Sequence, residues 1–132
     1  MYRHKKVMVI DDSHIDRFIA ERIISKSNFS EHTILMSSAI DALKYLSNLE
    51  NQDDLPQVIF LDIRMPEMDG FEFLKRYSDL PDQLKRNCII AMISSSADIN
   101  DHKRAKESPY VYCFMEKPLS NEQLSKNLIH NN

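Results

Sequence analysis

Val58-Ile59-Phe60-Leu61-Asp62-Ile63-Arg64-Met65-Pro66-Glu67-Met68-Asp69-Gly70 is the stretch whose reading decides the fold. Its first four residues are apolar without interruption, the pattern of a strand buried on both faces. The run stops at the carboxylate of Asp62 and passes into a loop that holds Pro66 and Gly70, the only glycine of the chain. Open α/β sheets bind their ligands in the crevice at the carboxyl ends of the strands. A lone charge at that end of a buried strand makes Asp62 the first candidate for a reactive group.

Upstream, Lys6-Val7-Met8-Val9-Ile10 forms a shorter apolar run that ends at Asp11-Asp12. Ser13 offers an N-cap with Asp16 as the acidic half of a capping box. Ile15, Phe18, Ile19 and Ile23 follow at helical spacing and predict an apolar stripe through about residue 27. Thr33-Ile34-Leu35-Met36 predicts a second strand. Ser37 or Ser38 then caps a helix with the face Ala39, Ala42, Leu43, Leu46 and Leu49.

Downstream of Gly70, Phe71, Leu74 and Tyr77 mark a third helix, closed by Ser78-Asp79-Leu80-Pro81. Cys88-Ile89-Ile90-Ala91-Met92-Ile93 is another continuous apolar strand and opens into Ser94-Ser95-Ser96. The fourth helix, Asp98 to Glu107, has only Ile99 and Ala105 for an apolar face and should be weakly anchored. Tyr110 to Met115 predicts the last strand, before Glu116-Lys117-Pro118. Ser120 and Gln123 then cap a short final helix carrying Leu124, Leu128 and Ile129.

Strand and helix alternate about five times, and several strands are apolar throughout. This implies a parallel sheet with helices on both faces. Right-handed crossovers at this length predict a flavodoxin-like doubly wound five-stranded sheet of order 2-1-3-4-5, a single domain over residues 1–132.

Composition narrows the function. The 132 residues are 42% hydrophobic and 28% charged, with a net charge of −3, which fits a globular chain with no general affinity for nucleic acid. The basic runs Arg3-His4-Lys5-Lys6, Lys85-Arg86 and Lys103-Arg104 are scattered surface charge. No apolar run is long enough to cross a bilayer and no signal peptide is evident, so a cytoplasmic location without membrane contact is expected. Cys88 and Cys113 are expected to be buried free thiols. The five histidines show no metal-ligand spacing.

The fold gathers Asp11, Asp12, Asp62, Ser94 and Lys117 at one sheet edge. Singly, each has an ordinary explanation: helix-dipole compensation, a serine loop, a strand stop. Together they pose an electrostatic problem, since three adjacent carboxylates raise one another's pKa and Lys117 offsets only part of the charge. A hard divalent cation such as Mg2+ resolves it with carboxylates, a backbone carbonyl and waters. An exposed oxygen of Asp62 could then attack phosphorus, with Lys117 and Ser94 bearing on the phosphoryl oxygens.

These pieces, in this order, resemble the receiver domain of two-component response regulators over nearly the whole chain. The segments that carry the resemblance are Val7 to Ser13, Leu61 to Gly70, Met92 to Ser96 and Glu116-Lys117-Pro118. The resemblance implies that Asp62 accepts a phosphoryl group from a histidine kinase or a histidine phosphotransfer protein. It implies Mg2+ held by Asp12 and Asp62, by Asp11 through a water, and by the backbone carbonyl of Arg64. Ser94 and Phe114 would be the switch residues, Lys117 the invariant lysine, and Lys117-Pro118 a cis peptide. Arg64 and Ser96 would flank the path of attacking water, Arg64 either shielding the phosphoryl group or assisting its partner.

Because the sequence closes soon after Lys117-Pro118, no effector domain is expected. The expected output is a downstream protein target bound at the fourth helix, last strand and last helix, by a monomer or a weak phosphorylation-dependent dimer. Two other classes compete. A haloacid-dehalogenase type of phosphohydrolase needs an acid two positions after the nucleophile, where this chain has Arg64. A flavin binder needs a hydroxyl-rich loop after the first strand, where this chain has Asp11 and Asp12.

Overall fold

The computed structural model describes residues 2–95 and 98–129. Strands β1 (His4–Ile10), β2 (Ser30–Met36), β3 (Val58–Asp62), β4 (Ile89–Ser94) and β5 (Val111–Glu116) form one sheet. All pairings are parallel and the order is β2-β1-β3-β4-β5, as the strand–helix alternation predicted. The helices are α1 (His14–Lys26), α2 (Ala39–Ser47), α3 (Gly70–Ser78), the single turn α4 (Asp82–Lys85), α5 (Ile99–Glu107) and α6 (Asn121–Leu128), with one 3-10 turn at Gln52–Asp54.

Side chains alternate across a strand, and here that alternation divides the core in two. Met8, Ile10, Ile59, Leu61, Ile90 and Met92 pack beneath α2, α3 and α5. Val7, Val9, Val58, Phe60, Ala91 and Ile93 pack with Ala20, Ile24, Leu124 and Leu128 of α1 and α6. Every residue of β3 is buried, which is why its apolar run was unbroken.

Two local expectations change, and one short turn is added. In α1 the predicted stripe is turned outward: Ile15 is 68% and Phe18 54% exposed, while Ala20 and Ile24 are buried. Ile19 and Ile23 are half-buried. In α5, Ile99 is 80% exposed, so Ala105 is the buried apolar residue of that helix. The turn α4, to which the sequence reading assigned no element, follows its N-cap Pro81 and has no buried residue.

The caps also differ in part. Asp69 and Glu72 form a complete capping box on α3. The Ser13 and Ser120 hydroxyls accept from the backbone amides of Asp16 and Gln123. The Ser13 amide, however, donates to the Asp11 carboxylate rather than to Asp16. Asp16 is drawn elsewhere, to Lys117. Both cysteines are half-buried and free, and burial pushes each thiol up to about 11.

Candidate functional site

The carboxyl ends of β1, β3, β4 and β5 bring the predicted residues together. Asp62 is the last residue of β3 and Ser94 the last of β4, both buried; Asp11 follows β1 and is fully buried, and Asp12 stands exposed at the rim. One carboxylate oxygen from each of Asp11, Asp12 and Asp62 lies within 4.8 Å of the others. Lys117 Nζ sits 2.8 Å from Asp11 Oδ2 and 3.2 Å from Asp62 Oδ1.

Strand alternation explains this geometry. Asp62 continues the side of Val58 and Phe60, and Asp11 continues that of Val7 and Val9, so both lean toward α1. Lys117, in register with Cys113 and Met115, comes from the same side. Ser94 continues the side of Ile90 and Met92, toward α3 and α5. Its carbonyl accepts the Lys117 amide at 2.9 Å, which ties the end of β4 to the lysine. The Lys117-Pro118 peptide is cis, as the resemblance implied.

Two residues join the site that sequence reasoning passed over. Asp16, assigned only to capping, accepts a hydrogen bond from Lys117 Nζ at 3.0 Å. Arg17 donates to the Asp11 backbone carbonyl at 2.8 Å, pinning α1 to the end of β1. No sequence signal joined Asp16 to Lys117, which lies 101 residues further along the chain.

The electrostatics follow from this crowding. Burial, and then the charge of Asp11, push the Asp62 carboxyl up to about 7, with Lys117 opposing them. For Lys117 burial favours the neutral amine, but its close contacts with the carboxylates of Asp11 and Asp16 and the charge of Asp62 outweigh it and hold the ammonium protonated well above its ordinary range. The cluster remains short of positive charge. Asp11 Oδ2 is buried and, although beside Lys117, accepts no hydrogen bond of good geometry. Three carboxylates with lone pairs to spare fit a hard divalent cation.

Residues 7–129 match the family model of the response regulator receiver domain. The chain belongs to that family. The receiver domain is 31% identical to a response regulator receiver protein from Dyadobacter fermentans, with a TM-score of 0.80 over 92% of this chain and 96% of that one. It is 28% identical to a two component response regulator from Cytophaga hutchinsonii, with a TM-score of 0.87 over 96% and 94%. It is 30% identical over 122 residues to the sensor histidine kinase CheAY of Helicobacter pylori, covering 90% of this chain but 14% of that protein. Receiver domains are the signalling switches of two-component systems, and this one has their doubly wound fold. Among the described residues, no helix is long and apolar enough to cross a membrane.

The loop between β3 and α3 carries the receiver domain's remaining site features. Glu67 takes a left-handed conformation, with φ of 68°. Gly70 does not; it is required by space instead. A Cβ there would lie 2.6 Å from the Asp62 carbonyl oxygen and 3.1 Å from Ile63 Cα. Gly70→Ala should therefore cost about 1–3 kcal/mol of stability by forcing apart α3 and the end of β3. Chemical denaturation measures this, and an unchanged midpoint would show that the loop yields freely.

The two positions expected beside the phosphoryl path have separate outcomes. The Arg64 side chain is engaged by Asp101 of α5, with Nη2 and Oδ2 2.6 Å apart. Ser96 lies outside the described residues. Phe114, half-buried on β5, lies against His102 of α5 in a tilted ring contact, with centroids 3.8 Å apart.

Proposed function

We propose that Asp62 is the phosphoacceptor of this receiver domain and that Asp11, Asp12 and Asp62, with the backbone carbonyl of Arg64, hold a divalent cation, Mg2+. The observation that carries this reading is the placement of one ammonium, Lys117, within 3.2 Å of both Asp11 and Asp62 beside the three-carboxylate cluster. When bound, the cation offsets the carboxylate charge and polarises the phosphoryl oxygens.

The chain's own residues supply the rest. Asp62 presents its carboxylate oxygen to the phosphorus of a phosphohistidine, and the P–N bond breaks as the acyl–phosphate bond forms, the imidazole departing with the electron pair. Lys117 pairs with a phosphoryl oxygen as charge leaves the Asp62 carboxylate. Ser94 donates its hydroxyl from the α5 side of the sheet. Ser94 and Phe114 then carry the change to the face formed by α5, β5 and α6, where a downstream protein binds.

The donor is a histidine kinase or a histidine phosphotransfer protein of the cytoplasm. The chain spans nearly the whole length of the two solved response regulators.

The raised pKa of Asp62 gives a signed test. Between its ordinary value of 3.8 and about 7 the folded protein keeps a proton that the unfolded chain has released. Stability of the metal-free protein should therefore fall with rising pH across that window and level off above it. A cation must displace that proton, so the Mg2+-induced rise in Tm should be larger at about pH 8 than at about pH 6. The rise should also be larger for wild type than for Asp12→Ala. Equal shifts in the two proteins would place the metal elsewhere.

A further inference from the structure

Helix α5 is held in an unusual way. It buries Ala105 and the carboxylate of Asp101, and leaves Ile99 exposed. Burial of one alanine methyl is a small share of what anchors a helix of nine residues. Three polar residues do the rest, each reaching a different element. Asp101 pairs with Arg64 at 2.6 Å, His102 makes a tilted ring contact with Phe114 of β5, and Arg104 lies 3.9 Å above the ring of Phe71 in α3.

The Arg64–Asp101 pair is unequal. Asp101 is only 3% exposed, whereas the Arg64 side chain is 60% exposed. Arg64 is therefore free to turn, while Asp101 cannot reach water without movement of α5. A buried carboxylate that loses its cation is strongly penalised. Arg64 also lies two residues beyond Asp62, at the rim where a phosphoryl group would add about two negative charges. A guanidinium pairs with phosphoryl oxygens at least as well as with a carboxylate, and with better bidentate geometry.

We propose that Arg64 is shared between two anions, the buried Asp101 carboxylate and the phosphoryl group on Asp62, and that Asp101 is a positioning residue through which phosphorylation loosens α5. The proposal rests on the reading of Asp62 as phosphoacceptor. In the unphosphorylated protein Arg64 belongs to Asp101 and α5 is fastened to the β3–α3 loop. Phosphorylation offers Arg64 the stronger anion. Asp101, left without its cation inside the protein, regains solvation only if the helix lifts, and Ala105 gives little apolar burial to resist.

The test is hydrogen exchange of residues 99–107, measured with acetyl phosphate and Mg2+ present or absent, with phosphoryl occupancy read by intact mass in the same samples. In wild type, exchange across α5 should quicken at least about fivefold on phosphorylation. In Asp101→Asn, compared at equal occupancy, the neutral amide needs no cation and the change should be less than about twofold. Arg64→Gln gives an independent arm, because its unphosphorylated α5 should already exchange as fast as that of phosphorylated wild type.

A response in Asp101→Asn equal to wild type, or a fully protected α5 in unphosphorylated Arg64→Gln, overturns the sharing of Arg64 while leaving the phosphoacceptor in place. Absence of phosphoryl uptake by wild type overturns both.

Discussion

Asp62→Asn should take up no phosphoryl group from acetyl phosphate and Mg2+, under conditions in which wild type gains one per chain. The carboxamide keeps the shape of the side chain at the end of β3 but has no anionic oxygen to attack phosphorus. Loss of activity through unfolding is not expected, because the substitution removes a carboxyl that burial and Asp11 already hold at about 7. In metal-free buffer the variant should melt higher than wild type above that pH, and the gain should shrink as pH falls and the wild-type carboxyl takes up its proton. Intact mass spectrometry and thermal melts read the two effects. Uptake by the variant equal to that of wild type would remove Asp62 from the role assigned to it.

Lys117→Ala should have the second-largest effect, on both stability and chemistry. Lys117 contacts Asp11, Asp16 and Asp62, and two of those carboxylates are buried. Removing this cation leaves them facing each other in a poorly solvated crevice. At a pH of about 8 without metal this should cost roughly 3–5 kcal/mol, the scale seen when one partner of a buried ion pair is deleted. The loss should narrow at low pH, where the carboxylates are neutralised by protons. Added Mg2+ should recover part of it, since the carboxylates that hold the metal are intact. Phosphoryl uptake should nevertheless fall on the order of 10²-fold, as expected when a positioned cationic donor is lost. Denaturation curves with and without Mg2+, and the rate of mass gain, decide this. Unchanged stability and rate would take Lys117 out of the site.

Much of the molecule was legible because its signals are local. The apolar run of β3 breaks at a charge, and such a break marks both the sheet and its functional edge. Asp11, Asp12, Asp62, Ser94 and Lys117 were placed together by topology alone, and the structure puts them at one sheet edge with Lys117 among the carboxylates.

The face of α1 was not legible. Ile15, Phe18, Ile19, Ala20, Ile23 and Ile24 supply apolar side chains around much of the helix. A period of 3.6 then fixes the helix but not which stripe turns inward. The inward side is the one with the small Ala20 and with Ile24, and Ile15 and Phe18 are left in solvent.

The pairings Lys117–Asp16 and Arg64–Asp101 were also hidden, because each joins residues far apart in the chain. Asp16 and Asp101 both stand in the first turn of a helix, where an acid is already accounted for by the dipole. An explanation sufficient in sequence concealed a second one that only packing reveals.

The central claim is that Asp62 carries the phosphoryl group. Its most direct measurement is chemical localisation in the wild-type protein: loading with acetyl phosphate and Mg2+, reduction of the acyl phosphate by borohydride to homoserine, and peptide mapping of the product. Conversion confined to residue 62, and dependent on Mg2+, is the predicted result. Conversion at Asp11, Asp12 or any other carboxylate, with residue 62 recovered as aspartate, would contradict it.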